Sequence, residues 1–181
     1  MDIKGHDSGE RHPSKVLTLT LAGEYFGLDI YSVREILDMT EITRIPQMPS
    51  YMLGVVNVRG SAVPVVDLRQ RFGMEKGEIT INSRIVILEI KRGDEVGVIG
   101  ALADSVKEVL ELERDRIDPP PKMGGSVKAD LLRGIGKFNG KFLLLLDLDK
   151  VFSQDELESL TEARPEMERV ELDLHDATAT A

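Results

Sequence analysis

The sequence predicts an all-β fold with short helices, in which two small β-barrels of about five strands each pack together. The first reason is that two apolar runs joined by Arg59-Gly60, within residues 53–72, recur eighty residues later around Asn139-Gly140. A fixed offset of this kind indicates an internal repeat. The second reason is composition. Apolar residues make up 41% of the 181 and aromatic residues only 4%, which is typical of sheets packed by branched aliphatic side chains.

The repeat extends well beyond the hairpin. Matching stretches stand in one register: Gly54-Val55 with Gly134-Ile135, Asp67-Leu68 with Asp147-Leu148, and Phe72 with Phe152. Upstream, residues 105–110 resemble residues 32–37 almost type for type. Units of roughly 65 residues are near the lower limit for independent stability, so we expect the two barrels to pack on each other.

In the first repeat, residues 16–21 alternate as a strand does, Gly23-Glu24 makes a turn, and residues 25–30 form the return strand. Ser32 and Glu35 have the spacing of a capping box and predict the start of a short helical turn. Residues 35–45 then alternate again and predict another strand.

The second repeat follows a polar joint at residues 75–78. Strands are predicted over 83–91 and 96–102, and the second hairpin ends at residue 146. Three consecutive prolines, Pro119 to Pro121, indicate an irregular connection because they supply no amide donors. A capping pair at Ser153 and Glu156 predicts a helix over 154–163.

These patterns divide the chain into a disordered tail (1–14), a domain (15–152) and a C-terminal helix with an acidic tail (153–181). The two barrels are predicted at about 15–74 and 83–152. Whether the first strand pairs in its own barrel or crosses to the other stays open.

Arg59 breaks a local rule. Asn-Gly is the strongest short hairpin signal because a type I′ turn needs positive φ at both central residues, and the second repeat has it at Asn139-Gly140. Arg59 stands where Asn is expected. A residue that departs from the local preference while its neighbours follow theirs indicates a functional position. The simpler interpretation is that Arg59 is a solvated turn residue.

Composition also restricts the class of protein. The net charge of −9 disfavours a nucleic-acid binder, because affinity for the phosphate backbone comes mostly from Lys and Arg. The sequence has no Cys, which removes disulfides and thiolate chemistry. No apolar run approaches the ~20 residues that span a bilayer, and no signal peptide is evident. We therefore expect a soluble, cytoplasmic protein.

Catalytic and metal sites are not expected. His6, His12 and His175 fall in the predicted tails, whereas a general base needs a held geometry. Asp147 and Asp149 stand where a strand gives way to a helix, where Asp is a normal capping residue. The prediction is therefore a binding protein with no catalytic residues, no metal and no cofactor.

Val33, Glu35 and Arg59 are the candidate anchors near the seam between the barrels. The simpler interpretations are core filler for Val33, a helix cap for Glu35 and a solvated turn for Arg59. The residues alone do not decide between these alternatives.

The stretch Asn57-Val58-Arg59-Gly60, followed by Val63 to Arg69 and Phe72-Gly73, resembles the CheW family, the coupling proteins of bacterial chemotaxis. The likeness runs from about residue 15 to residue 152, and Val58 departs from the usual Leu. The resemblance implies two SH3-like five-stranded barrels and an adaptor without catalysis.

It also implies partners: the regulatory domain of the chemotaxis histidine kinase CheA and the cytoplasmic tip of methyl-accepting chemoreceptors, with no nucleic acid and no direct membrane insertion. The protein would be cytoplasmic and recruited to membrane-attached receptor arrays. In the family the receptor lies against a groove between the barrels, and the matching positions are Val33, Glu35, Gly54, Asn57, Arg59 and Gly60. The alternatives are a CheW-like scaffold of a different chemosensory pathway, or an SH3-like ligand-binding module.

Overall fold

The computed structural model describes residues 13–120 and 129–152. The predicted helix at 154–163, the acidic tail and nearly all of the predicted N-terminal tail lie outside these residues. The described parts contain ten strands: β1 (Ser14–Leu21), β2 (Glu24–Asp29), β3 (Val33–Asp38), β4 (Met52–Val58), β5 (Ser61–Asp67), β6 (Arg84–Arg92), β7 (Glu95–Ala103), β8 (Ser105–Leu112), β9 (Leu132–Phe138) and β10 (Lys141–Leu146).

Helical segments are short. Two four-residue helices, α1 (Leu68–Arg71) and α2 (Leu148–Val151), follow β5 and β10. Single 3₁₀ turns occupy Ile30–Ser32, Arg114–Arg116 and Ala129–Leu131. In the described part of the chain, none of the helices has the length and apolar character needed to cross a lipid bilayer.

The strands form two five-stranded sheets. The first sheet has the order β8-β1-β2-β10-β9 and the second has the order β3-β6-β7-β5-β4. Neighbours are antiparallel except for two parallel pairs, β2 with β10 and β5 with β7. The mostly-β prediction with short helices is confirmed.

The sheets do not coincide with the predicted barrel ranges, 15–74 and 83–152. Each sheet combines the first two strands of one repeat with the last three strands of the other. The β2–β3 connection is the 3₁₀ turn Ile30–Ser32, and through it the chain passes from the first sheet to the second. Because the repeats have similar strands, the sequence pattern is the same whether a strand pairs within its own repeat or with the other one.

Each sheet closes through one bridge between its edges. In the second sheet, Thr43 beyond β3 and Val55 in β4 exchange two backbone hydrogen bonds of 2.8 and 2.9 Å. In the first sheet, Asp118 beyond β8 and Ile135 in β9 do the same, again at 2.8 and 2.9 Å. Closure leaves few strand edges available for unwanted pairing.

The largest apolar core lies between the two sheets and draws side chains from both. Its centre includes Phe26 and Phe72, whose rings stack with centroids 5.7 Å apart. Smaller clusters fill each barrel, around Val63 and Ile87 in the second and around Leu143 and Leu145 in the first. The two barrels therefore form one packed unit.

The predicted capping box at Ser32 and Glu35 is wrong. The helical turn lies earlier in the chain, at Ile30–Ser32. Asp29 caps it, since its Oδ1 accepts a hydrogen bond of 3.1 Å from the backbone N–H of Tyr31. Val33 begins β3, and Glu35 therefore lies in a strand. Exposure alternates along β3 as the predicted strand over 35–45 requires, but the strand begins two residues earlier and ends at Asp38.

Candidate functional site

The turn between β4 and β5 has the strained geometry that the repeat comparison indicated. Arg59 has φ +50° and Gly60 has φ +85°, and the corresponding Asn139 and Gly140 have φ +47° and +73°. Positive φ at both central residues is the requirement of a type I′ turn. Asn57 supports the turn, because its Oδ1 accepts a 2.8 Å hydrogen bond from the N–H of Gly60.

Arg59 is held by an ion pair across the barrel opening. Its Nη2 lies 2.9 Å from Oε2 of Glu35 on β3. The Arg59 side chain is 77% exposed and that of Glu35 19% exposed, so the guanidinium is available to a partner while the carboxylate is sheltered. An ion pair this exposed contributes little to stability, which makes orientation of the guanidinium its more important effect.

A small depression of about 140 Å³ lies beside the ion pair. Its apolar lining comes from four residues of the second sheet, Val58, Val63, Ile87 and Val98. Its polar lining comes from Arg34, Glu35, Arg59 and Ser61. A depression with this mixed lining is suited to a partner that presents a small apolar side chain next to polar or acidic groups.

The six predicted site residues do not all meet at this depression. Glu35, Asn57, Arg59 and Gly60 lie at the β4–β5 turn or across from it. Val33 is half-buried and packs against the core between the sheets. Gly54 is buried and has φ +145°, and a Cβ there would stand 2.1 Å from the carbonyl oxygen of Thr43. Gly54 thus permits the Thr43–Val55 bridge.

Arg34 and Ser61 also line the depression and were not among the predicted site residues. The Arg34 Nε lies 3.6 Å from Oε1 of Glu89, and the Arg34 side chain is half exposed. The sequence feature that could have indicated Arg34 is that both repeats have a basic residue at this position, Arg34 in the first and Lys107 in the second. Seven of the eight residues that line the depression lie in strands of the second sheet, and Arg59 lies in the turn between two of them, whereas the resemblance implied a groove between the barrels.

Asp67 and Asp147, which lie where a strand is followed by a short helix, occupy the N-cap positions of α1 and α2. Asp67 caps α1, since its Oδ1 accepts a 3.0 Å hydrogen bond from the N–H of Arg69. Burial raises the pKa of Asp67, and hydrogen bonds from the backbone of Arg69 and Gln70 oppose this effect. Asp147 holds the N-cap position of α2 without a side-chain capping bond, so that capping prediction is correct in position only.

Within residues 13–120 and 129–152, no three His, Cys, Asp or Glu side chains cluster in a way that could hold a metal ion.

Comparison with known proteins identifies the family. A family model described as a CheW-like domain matches residues 15–156. The chain belongs to the CheW family. It is 32% identical to the chemotaxis protein CheW of Klebsiella aerogenes over 83% of this chain and 88% of the relative. It is 31% identical to the probable chemotaxis protein CheW of Rhizobium etli, over 87% of this chain and 97% of the relative.

A solved structure has the same fold. The crystal structure of the scaffolding protein TtCheW from Thermoanaerobacter tengcongensis matches with a TM-score of 0.71 and 34% identity, covering 84% of this chain and 96% of that one. Together with the named relatives, this match assigns the CheW-family chain a scaffold or adaptor role in chemotaxis.

Proposed function

We propose that the chain couples the cytoplasmic tip of chemoreceptors to the regulatory domain of the histidine kinase CheA, without catalysis of its own. The observation that carries this proposal is the exposed Arg59 guanidinium, oriented by Glu35 beside a depression of mixed polar and apolar lining. Family membership supports the chemotaxis role. The receptor would contact the β4–β5 turn and the adjoining face of β3.

A helical receptor tip fits the chemistry of this surface. A helix presents side chains three and four residues apart on one face, so an apolar side chain can enter the depression while an acidic neighbour pairs with Arg59. The guanidinium can turn from Glu35 to a partner at low cost in free energy, because its own end of the ion pair is exposed to solvent. Glu35, Asn57, Arg59 and Gly60 would then form or support the contact directly, while Val33 and Gly54 support it through the barrel.

Coupling follows from holding two partners at once. Linking them raises their effective concentration and fixes their relative orientation. The chain would be recruited from the cytoplasm to membrane-attached receptor arrays through these contacts alone. Receptor state would then bias the kinase by a coupling free energy of about 1–3 kcal/mol.

The test is a three-component assembly of the full chain, a receptor signalling fragment and the kinase, with kinase autophosphorylation as the readout. Arg59→Glu is expected to remain folded and to abolish receptor-dependent activation. Receptor binding is measured separately by co-sedimentation, so that a failure can be assigned to the receptor contact. Normal coupling by Arg59→Glu would contradict the assignment of the site.

Lys15→Glu is the matched control. Lys15 is also exposed and also faces a glutamate, with its Nζ 3.6 Å from Oε1 of Glu111, but it lies on the first sheet. The same charge reversal there is expected to leave receptor co-sedimentation unchanged. Equal losses for both variants would indicate a general effect of charge rather than a specific contact.

A further inference from the structure

The sequence of the C-terminal tail, residues 153–181, contains the chemistry that suits the depression beside Arg59. Residues 170–174, which we call the apolar-acidic segment, read Val-Glu-Leu-Asp-Leu. In an extended chain, its three apolar side chains share one face and its two carboxylates share the other. The depression is suited to a small apolar side chain next to an acidic group, and the apolar-acidic segment offers this combination within the same polypeptide.

Charge favours an encounter between this tail and the depression. Residues 153–181 contain nine of the 32 Asp and Glu and two of the 23 Lys and Arg, so they carry −7 of the net charge of −9. In each of the two ion pairs at the depression, the cation is the more exposed partner. The exposed fractions are 77% for Arg59 against 19% for Glu35, and 51% for Arg34 against 35% for Glu89. This surface therefore presents positive charge to solvent.

A larger cavity in the first barrel is a poorer match for an acidic segment. It has a volume of about 490 Å³ and lies between β8 and the β9–β10 turn. Its rim has three carboxylates and two cations, namely Glu111, Glu113, Asp118, Arg116 and Lys137. Because like charges repel, the carboxylates of this rim disfavour an acidic occupant. The depression beside Arg59 is the better match, although it is smaller.

The tail is long enough to reach the depression. It follows α2, where the carbonyl of Val151 accepts a 2.9 Å hydrogen bond from Arg71 Nε. From Arg71, α1 and β5 lead back to Arg59, a path of about 32 Å at ~1.5 Å per helical residue and ~3.3 Å per strand residue. Residues 153–169 span about 56 Å when extended, and about 38 Å with the predicted helix over 154–163. The apolar-acidic segment can therefore lie against Arg59.

We propose that the apolar-acidic segment docks at the depression beside Arg59 and competes there with the receptor. One of its apolar side chains would enter the depression, and a neighbouring carboxylate would pair with the Arg59 guanidinium. The competition rests on the proposed function, whereas the docking does not. A tethered segment has an effective concentration of about 1 mM. With a dissociation constant of about 0.1–1 mM, it would lower the apparent affinity for the receptor about two- to tenfold.

Docking is tested without any receptor, by nuclear magnetic resonance on the full chain. The sequence has no Cys, so Ala177→Cys gives a single attachment point for a nitroxide close to the apolar-acidic segment. We expect the nitroxide to broaden the amide signals of Gly60 and Ser61 more than that of Gly140, which lies in the equivalent turn of the first barrel. Equal broadening in the two turns, or stronger broadening at Gly140, would overturn the inference.

Two double variants in the labelled chain test the part played by the apolar-acidic segment. Glu171→Lys with Asp173→Lys should remove the excess broadening at Gly60. Glu158→Lys with Glu162→Lys is the matched control, because it makes the same change in net charge nearer to α2, and it should keep the excess broadening. Persistence of the excess in the first double variant, or its loss in both, would contradict docking by this segment.

Competition is tested by titrating the same two double variants, without the label, with a receptor signalling fragment in the co-sedimentation assay. Glu171→Lys with Asp173→Lys should bind the fragment about two- to tenfold more tightly than the natural chain, and Glu158→Lys with Glu162→Lys should bind it as the natural chain does. Excess fragment should also remove the broadening at Gly60. If docking is observed but the fragment neither displaces the tail nor binds the first double variant more tightly, the competition is contradicted and the proposed receptor site fails, whereas the docking stands. If Arg59→Glu loses the receptor but no docking is observed, the inference alone fails.

Discussion

The guanidinium of Arg59 lies 2.9 Å from the carboxylate of Glu35, and this ion pair joins the two edges of the second sheet near the β4–β5 turn. At the other end of the same opening, the backbones of Thr43 and Val55 form the closing bridge. One end of the opening is thus held by backbone hydrogen bonds and the other by exposed charge. Only the second kind of contact can be exchanged for a partner without disturbing the barrel.

Replacing Arg59 with Asn, the residue of the second repeat, should separate stability from function. Asn tolerates positive φ better than Arg, and the ion pair that is lost is weak because the Arg59 side chain is 77% exposed. We expect the free energy of unfolding to stay constant or rise by up to about 1 kcal/mol, while receptor co-sedimentation is lost. Denaturant titration and co-sedimentation on the same preparation measure both.

The reversed pair, Arg59→Glu with Glu35→Arg, distinguishes a direct contact from a structural one. If Arg59 acts only by bridging the barrel edges, the double variant should recover receptor binding. If the guanidinium itself contacts the receptor from the turn, the double variant should be folded and still deficient. We expect the second result, and full recovery would show that Arg59 has only a structural role.

Arg69 should contribute to stability through contacts that tie separate segments together. Its Nη1 lies 3.2 Å from Oδ2 of Asp104, an oxygen that also accepts a 2.7 Å hydrogen bond from the N–H of Ala22 in the β1–β2 turn. Its Nε donates to the Glu75 carbonyl. Both charged side chains are less than one-third exposed, and hydrogen bonds to charged groups contribute about 1.5–3 kcal/mol.

We therefore expect Arg69→Met to lower the free energy of unfolding by about 2 kcal/mol, measured by denaturant titration. Arg69→Lys should show a smaller loss, since an ammonium can retain the charge pairing but not the planar geometry that reaches both acceptors. Equal losses for Met and Lys would mean that the guanidinium geometry, not the charge, carries the effect.

The pH dependence of stability should carry a signature of Asp67. Burial raises the pKa of this carboxyl above 3.8 in the folded state, so the folded chain binds a proton at pH values where the unfolded chain has released it. The contribution of Asp67 therefore favours folding as pH falls through this window and is lost as pH rises above the folded pKa.

Asp67→Asn removes the titration but keeps an oxygen that can accept the N–H of Arg69. We expect the free energy of unfolding of the natural chain, minus that of Asp67→Asn, to increase as pH is lowered from 7 toward 4. Asp147→Asn, at the corresponding N-cap of α2, is the control: it shows how much of the change with pH results from replacing any N-cap Asp by Asn. A difference that decreases toward low pH would contradict the raised pKa.

The strands and their turns followed from local patterns. Alternation identified β1 and β3, and the positive φ at Arg59 followed from comparing one turn with its copy. Which strand pairs with which could not be predicted from these local patterns, because Val33 and Val106 lie in equivalent strands and either could face Leu19 or Leu88. The Arg59–Glu35 ion pair depended on that choice, since β3 reaches the β4–β5 turn only when the barrel closes. The role of Gly54 likewise required the position of Thr43.

Gly54 and Gly134 are matched positions in the two repeats, and their alanine variants should differ in cost. At Gly54 an added Cβ would stand 2.1 Å from a backbone oxygen, that of Thr43, and φ is +145°. At Gly134 the nearest atom would be Cγ2 of Ile117 at 2.5 Å, with the Asp118 oxygen at 3.0 Å, and a side chain can move more easily than a backbone. We expect Gly54→Ala to lower the free energy of unfolding by about 3 kcal/mol or more and Gly134→Ala by about 1–2 kcal/mol, measured by denaturant titration.

In Gly54→Ala, amide hydrogen exchange at Val55 should also accelerate, because its N–H donates to Thr43 in the closing bridge. Equal costs with slow exchange at Val55 would show that the second barrel closes without the space that Gly54 provides.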